Sequence, residues 1–186
     1  MRNYRAQILL AGAICVMLYA PVAIAEKKAR HFKESCSGAF TGAAFSFDGN
    51  NTAGQYTALC STNINGSALK SGVSQSATTV IGTCAAPDGT AGTEYNLLER
   101  FDSVTFKDDG SQIFSFSDTG FECFSNTTGV FSKTESWIIT GGTGKFKNVT
   151  GQGTETITGR IIAKPESPGF GTFGAEQTDS TGTISW

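Results

Sequence analysis

Five carboxylates, Glu94, Glu99, Asp102, Asp118 and Glu122, fall between residues 94 and 122 in a stretch of short alternating runs. A carboxyl group buried inside a sheet structure has its pKa raised toward the range useful for general acid–base work. Glu122, between Phe121 and Cys123 in strand context, is the first candidate for such a role and Glu94 the second. The ordinary place for carboxylates of this kind is a turn or a rim, so the chain is read as non-enzymatic. His31 is the single histidine and lies near the N-terminus, which leaves a serine nucleophile without an imidazole base. Gly-Gly-Thr-Gly-Lys at 141–145 imitates a phosphate loop, but Ile139 stands where the first glycine belongs and Phe146 where Ser or Thr belongs. Gly169-Phe170-Gly171-Thr172-Phe173-Gly174 matches the dinucleotide pattern by letter, yet follows a proline-rich loop and precedes no helical pattern. No cofactor is expected.

The elements that must position these residues begin after a leader. Arg2 and Arg5 precede a charge-free apolar run, Ile8 to Ala20, and Ala23-Ile24-Ala25 supplies the small residues of a cleavage site. Residues 1–25 therefore read as a signal peptide, 26–35 as a basic N-terminal tail and 36–186 as one domain. The run is too short to span a bilayer, so no integral span is expected after cleavage and the product is secreted or periplasmic. Removing 25 of the 186 residues leaves 161 with a net charge of −4 and no basic stripe for nucleic acid. Four cysteines remain, Cys36, Cys60, Cys84 and Cys123. An even count in an exported chain points to two disulfides with three possible pairings, and the lack of a Cys-x-x-Cys pair argues against a metal site. Asn50, Asn65, Asn126 and Asn148 each begin an Asn-x-Ser/Thr triplet, a pattern that threonine richness makes common by chance.

Glycine (23 residues), threonine, serine and phenylalanine abound, charged residues make up 16%, and no window carries a helical stripe longer than two turns. Short alternating runs separated by Gly, Asn and Asp indicate an all-β fold. Val104–Phe106 and Gln112–Ser117 flank a turn in which Gly110 takes positive φ. Asp118-Thr119-Gly120 reads as the next turn before Phe121–Ser125, and Val130–Thr140 follows. Cys36–Phe47, Gln55–Thr62, Ala77–Cys84 and Thr178–Trp186 read as further strands. About eight strands without a covering helix must stack as two sheets or close into a barrel.

The stretch Ile-Thr-Gly-Gly-Thr-Gly-Lys-Phe-Lys-Asn-Val-Thr-Gly-Gln-Gly at 139–153 resembles the Gly-Gly-Thr-Gly-(Lys/Arg)-Phe turn of the allene oxide cyclase-like and dirigent-like β-barrel superfamily. The resemblance is closest to small exported bacterial members of unassigned function. There Cys84, Gly-Thr-Glu at 92–94, Gly-Phe-Glu-Cys at 120–123 and a Thr-Glu-Ser-Trp-Ile-Ile-like strand also have counterparts, and it covers roughly residues 36–162. It implies an antiparallel barrel of about eight strands with an internal cavity. It also implies that Gly141, Gly142, Gly144 and Gly151 shape the backbone turn through positive φ. Phe146 then plugs the barrel, and Lys145 and Lys147 face solvent. Cys84 and Cys123 lie in the resembling region and would pair, leaving Cys36 to Cys60. Plant relatives rearrange an unsaturated fatty-acid epoxide or steer phenol coupling, but fold alone carries little functional weight.

The functional expectation is an exported barrel that holds a small apolar or phenolic ligand, with Tyr95, Phe106, Phe114, Phe116 and Trp137 converging on the pocket. An isomerase or cyclase using a buried carboxylate is the alternative, and an outer-membrane barrel, suggested by the terminal Trp186, comes third. The opposing expectation for the rings is that they fill a small barrel, as they do in most barrels of eight strands. Oligomeric state is not legible.

Overall fold

A computed structural model describes residues 28–43, 51–163 and 172–186. Eight strands, β1 (Arg30–Ala43), β2 (Asn51–Thr62), β3 (Gly66–Ala85), β4 (Ala91–Phe106), β5 (Gln112–Ser125), β6 (Val130–Gly142), β7 (Thr150–Ala163) and β8 (Thr172–Ser185), form one closed antiparallel barrel in chain order. β8 closes on β1, with Arg30 opposite Ile184 and Cys36 opposite Thr178. Closure leaves no sheet edge unpaired. The expected leader 1–25, residue Asn50, residues 44–47 of the first expected strand and most of the proline-rich loop lie outside the described residues.

Several boundaries differ from the sequence reading. β1 begins at Arg30, so residues 30–35 belong to the barrel rather than to a basic tail, with Phe32 and Glu34 turned inward and His31 and Lys33 outward. β3 begins at Gly66 instead of Ala77, and β7, which alternates threonine with Gly, Glu and Ile, is a strand beyond those expected from the sequence. The expected turn at Asp118-Thr119-Gly120 is absent. β5 runs through it, and a register shift between Phe116 and Thr119 adds one residue against β6. That bulge changes which parity faces inward. Ile113 and Ser117 are buried before it, Glu122 after it.

Eight strands enclose a lumen just wide enough for side chains to fill. One end is closed by Phe32, Val104, Phe106, Ile113, Trp137, Phe146, Val149 and Ile184. Phe146 sits on a single 3-10 turn, Gly144–Phe146, and its fully buried ring lies 4.8 Å from that of Phe106 and 5.4 Å from that of Trp186. Toward the other end, rings run Phe40–Phe131–Phe124–Tyr95 at centroid spacings of 5.3, 5.2 and 6.1 Å. Burying each such side chain contributes about 1.5–3 kcal/mol.

Strand glycines make room for these rings. A Cβ on Gly153 would meet Trp137 Cζ2 at 2.4 Å, and one on Gly159 would meet Phe131 Cζ at 2.4 Å. In the 139–153 turn only Gly144 has positive φ, +57°. Gly142 and Gly151 are there for close approach, since a Cβ at each would come within 2.5 Å of a carbonyl oxygen, of Phe146 and Thr183 respectively. Gly141 would meet only an ordinary contact with Phe114 at 3.9 Å. The implied positive φ thus holds for one glycine of the four.

Both disulfides form as the resemblance implied. Cys36–Cys60 joins a directly opposed pair on β1 and β2. Cys84–Cys123 joins β3 to β5 across β4, passing over Gly92, whose missing Cβ would stand 3.0 Å from one sulfur and 2.9 Å from the other.

Candidate functional site: an ionic layer in the barrel lumen

Between the two aromatic ends lies a layer of charge contributed by inward positions of six strands. Lys70 on β3 donates to Glu34 Oε1 on β1 at 3.0 Å and to Glu155 Oε2 on β7, and lies 3.3 Å from Asp102 Oδ2 on β4. Arg100 on β4 donates through Nε to Asp102 Oδ1 at 3.1 Å and to Tyr56 Oη at 3.2 Å. Its Nη2 is 3.0 Å from Glu155 Oε1, its Nε 3.6 Å from Glu135 Oε1, and its guanidinium stacks 4.2 Å over the Tyr56 ring. Ser180 donates to Glu155, and Ser117 donates to Glu135 at 3.2 Å. A smaller group sits further along the lumen, where Glu122 Oε1 accepts from Ser76 Oγ at 2.6 Å and pairs with Lys133 Nζ at 2.5 Å. The pairs cross the barrel as well as following its wall, so they brace strands that share no backbone hydrogen bonds.

Six buried carboxyl groups, Glu34, Asp102, Glu122, Glu135, Glu155 and Glu176, face three cations, Lys70, Arg100 and Lys133. Full ionisation would leave an uncompensated negative lumen. Burial, reinforced by the neighbouring Glu155 and Glu135 charges, pushes the Asp102 carboxyl well above its usual range. Burial likewise raises Glu135 and Glu176, against the pull of Arg100. Glu155 goes the other way: burial opposes its ionisation, but Lys70 and Arg100 outweigh burial and hold it at about 2. Lys70 is held charged because Glu155 and Glu34 more than offset its own burial.

Carboxylate oxygens of Asp102, Glu135 and Glu155 lie within 4.8 Å of one another, a spacing that would suit a metal ion. Arg100 and Lys70 already set their charges against those same oxygens, which fits an internal salt-bridge layer better than a metal centre. The cluster of Glu34 with Cys36 and Cys60 offers no thiolate, because both sulfurs are in a disulfide. A cavity of about 20 Å³ lies beside the layer, lined by Glu34, Lys70, Glu155, Ser180, Trp137 and apolar neighbours. That is room for about one water molecule.

The residues singled out in the sequence separate into three groups. Asp102 and Glu122 point into the lumen, whereas Glu99 and Asp118 are exposed and Glu94 sits half-buried opposite Cys123. Phe106 and Trp137 are buried in the apolar end and Tyr95 packs on Phe124 near the other. Phe114 and Phe116 do not join them. β5 turns Ile113 and Ser117 inward at that point, and Phe116 lies outside against Phe101, 4.7 Å between centroids. The expected convergence of five rings is therefore corrected to two, with Tyr95 at a distance. Lys145 is half exposed and paired with Asp109 at 3.2 Å.

Glu34, Lys70, Arg100, Glu135, Glu155 and Glu176 went unread. The signal was present: Phe32-x-Glu34-x-Cys36, Glu135-x-Trp137 and Glu155-x-Ile157 put a charge in step with apolar residues at period two. Comparison with family models, with curated proteins and with solved structures finds no match to this chain.

Proposed function

We propose that the chain is an exported, non-catalytic binding barrel whose lumen is a braced core and whose recognition surface is its outer wall. The observation that carries this is a row of apolar side chains set directly opposite one another across four strands: Val73, Phe101, Phe116 and Ile138. Val73, Phe101 and Ile138 are 46%, 51% and 53% exposed. An apolar patch of this kind marks an interaction site on a monomeric surface.

A ligand inside the barrel draws less support. Pockets for small molecules run to about 300–1,000 Å³, and the lumen cavity is about 20 Å³. A cyclase reading would use the raised carboxyls Asp102, Glu135 and Glu176, but these stand among Arg100, Lys70 and Lys133, and the cavity of about 20 Å³ beside the layer is lined by none of the three. An outer-membrane barrel needs an apolar band all round. Here β7 and β8 present Thr154, Thr156, Thr158, Gln177, Asp179 and Thr181 outward, and no described helix is long and apolar enough to cross a membrane. Export draws on the leader reading and on the two disulfides, which persist in oxidising compartments. Membership of the allene oxide cyclase-like superfamily draws on the 139–153 turn and the strand number.

The test is binding of a fluorescent apolar dye, anilinonaphthalene sulfonate, to dilute folded protein. Saturable binding that Phe101→Ser with Ile138→Ser removes, and that Trp137→Phe in the lumen leaves intact, is the expected result. Dye binding unchanged by the wall substitutions would contradict the reading.

A further inference from the structure

We infer that the outer face of β2 to β6 around Phe101 is where a second copy of this chain docks, wall against wall. The inference rests on the outer-wall reading above and names its occupant. Leu59 and Leu69 stand opposite each other on β2 and β3, at 60% and 40% exposure, on the same face as the Val73–Phe101–Phe116–Ile138 row and separated from it by Ser71. The outward residues between them, Thr57, Ser71, Ser103, Thr105 and Thr140, carry no charge, while the exposed Glu99 and Asp118 bound the patch at one end. The opposite wall is mostly polar, with Lys33, Arg160 and Asp179 facing outward among threonines and Ile162 and Phe173 exposed at its end.

Three arguments select the occupant. Shape comes first: a barrel wall is convex and offers no concavity of the kind small ligands require. Area is the second. Six side chains of this size, most about half exposed, offer on the order of 500 Å² of apolar surface. A standard interface takes about 800 Å² from each partner, and homodimer interfaces are about 65% apolar, so the patch supplies what one half of a stable dimer needs. Symmetry is the third. Two-fold pairing of one patch on itself is the commonest protein symmetry. Because the barrel is closed, the copies cannot join through a sheet edge and must meet face to face.

Sedimentation equilibrium of the oxidised chain from residue 26 onward, from low to high micromolar concentration, tests this. The expected result is a monomer–dimer equilibrium that Phe101→Glu shifts by 100-fold or more toward monomer, while Thr156→Glu on the polar wall leaves it unchanged. Circular dichroism melts of both variants confirm that they stay folded, and Val73→Lys gives a second variant should Phe101→Glu unfold. A monomer at every concentration overturns the inference, as does a dimer indifferent to Phe101→Glu and Val73→Lys. A monomer that still binds the apolar dye through the wall overturns the second copy but keeps the binding reading. Co-sedimentation of a monomer with phosphatidylcholine vesicles assigns the wall to lipid and also overturns the inference. A monomer that binds no dye removes both.

Discussion

Replacing Lys70 with methionine removes the cation that three carboxylates share while keeping the volume of its stem. Glu34, Asp102 and Glu155 then face one another in a buried lumen with only Arg100 left among them. Breaking a buried pair by removing one partner costs about 3–5 kcal/mol, against a total stability of about 5–15 kcal/mol for a domain. For a chain of this size each kcal/mol moves the melting temperature by about 2–4 °C, so a drop of about 6–20 °C is expected. The loss has a pH signature. Without Lys70, Glu155 loses the main charge that holds it ionised and escapes part of the cost by taking up a proton, so the deficit is largest at pH 8 and shrinks at pH 5. Thermal melts of oxidised protein at both pH values measure it. Adding Glu155→Gln to Lys70→Met returns part of the stability, because the two side chains share one network. A loss below about 1 kcal/mol, or one identical at both pH values, would refute the idea that the layer braces the barrel.

The native protein has a stability maximum on the acid side of neutrality. Asp102, Glu135 and Glu176 have raised folded pKa values, so their contribution is full below about pH 4 and lost as pH rises through those values. Glu155, at about 2, contributes above pH 4.5 and loses its share as pH falls toward 2; melts from pH 2 to 9 trace both limbs. Gly153→Ala sets a Cβ 2.1 Å from the Thr181 carbonyl oxygen and costs about 1–3 kcal/mol by denaturant titration. Gly144→Val is strongly destabilising, since it combines φ +57° with a 2.3 Å clash on Ser111 Oγ, whereas Lys145→Ala loses a half-exposed ion pair and the ammonium's contact with the Phe106 and Phe146 rings and stays within about 1 kcal/mol in the same melts. Cys84→Ser with Cys123→Ser costs about 2–4 kcal/mol, read as a fall in denaturation midpoint.

Alternation made the barrel legible. Where a strand carries an unbroken period of two, as in Val104-x-Phe106 or Gln112–Ser117, sequence and structure agree on a strand. The facing failed where the period was ambiguous. Ile113-Phe114-Ser115-Phe116-Ser117 offers two phenylalanines on one face, and hydrophobicity alone assigns them to the interior. The barrel instead turns Ile113 and Ser117 inward, because Ser117 and Ser115 pair with Arg100 and Asp102, which face the lumen, and Phe116 and Phe114 share the outward face of their partners Phe101 and Ser103. Gly120 read as a turn because glycine does punctuate chains, yet here it gives close passage to Glu135 on β6. The ionic layer stayed hidden for a related reason. A charge in a strand is ordinarily outward, and only pairing partners from strands far apart in the chain, such as Lys70 with Glu155, make it affordable inside. Those partners are set by barrel closure, which no local window contains.

A carbon-detected pH titration of the side-chain carboxyls of uniformly labelled, oxidised protein tests the filled, ionic lumen most directly. The account predicts a split. Glu155 stays ionised down to about 2, while Asp102, Glu135 and Glu176 keep their protons above the usual carboxylate range. Carboxyls that all titrate together near 4 would mean that the lumen is open to water and that the layer described here does not exist.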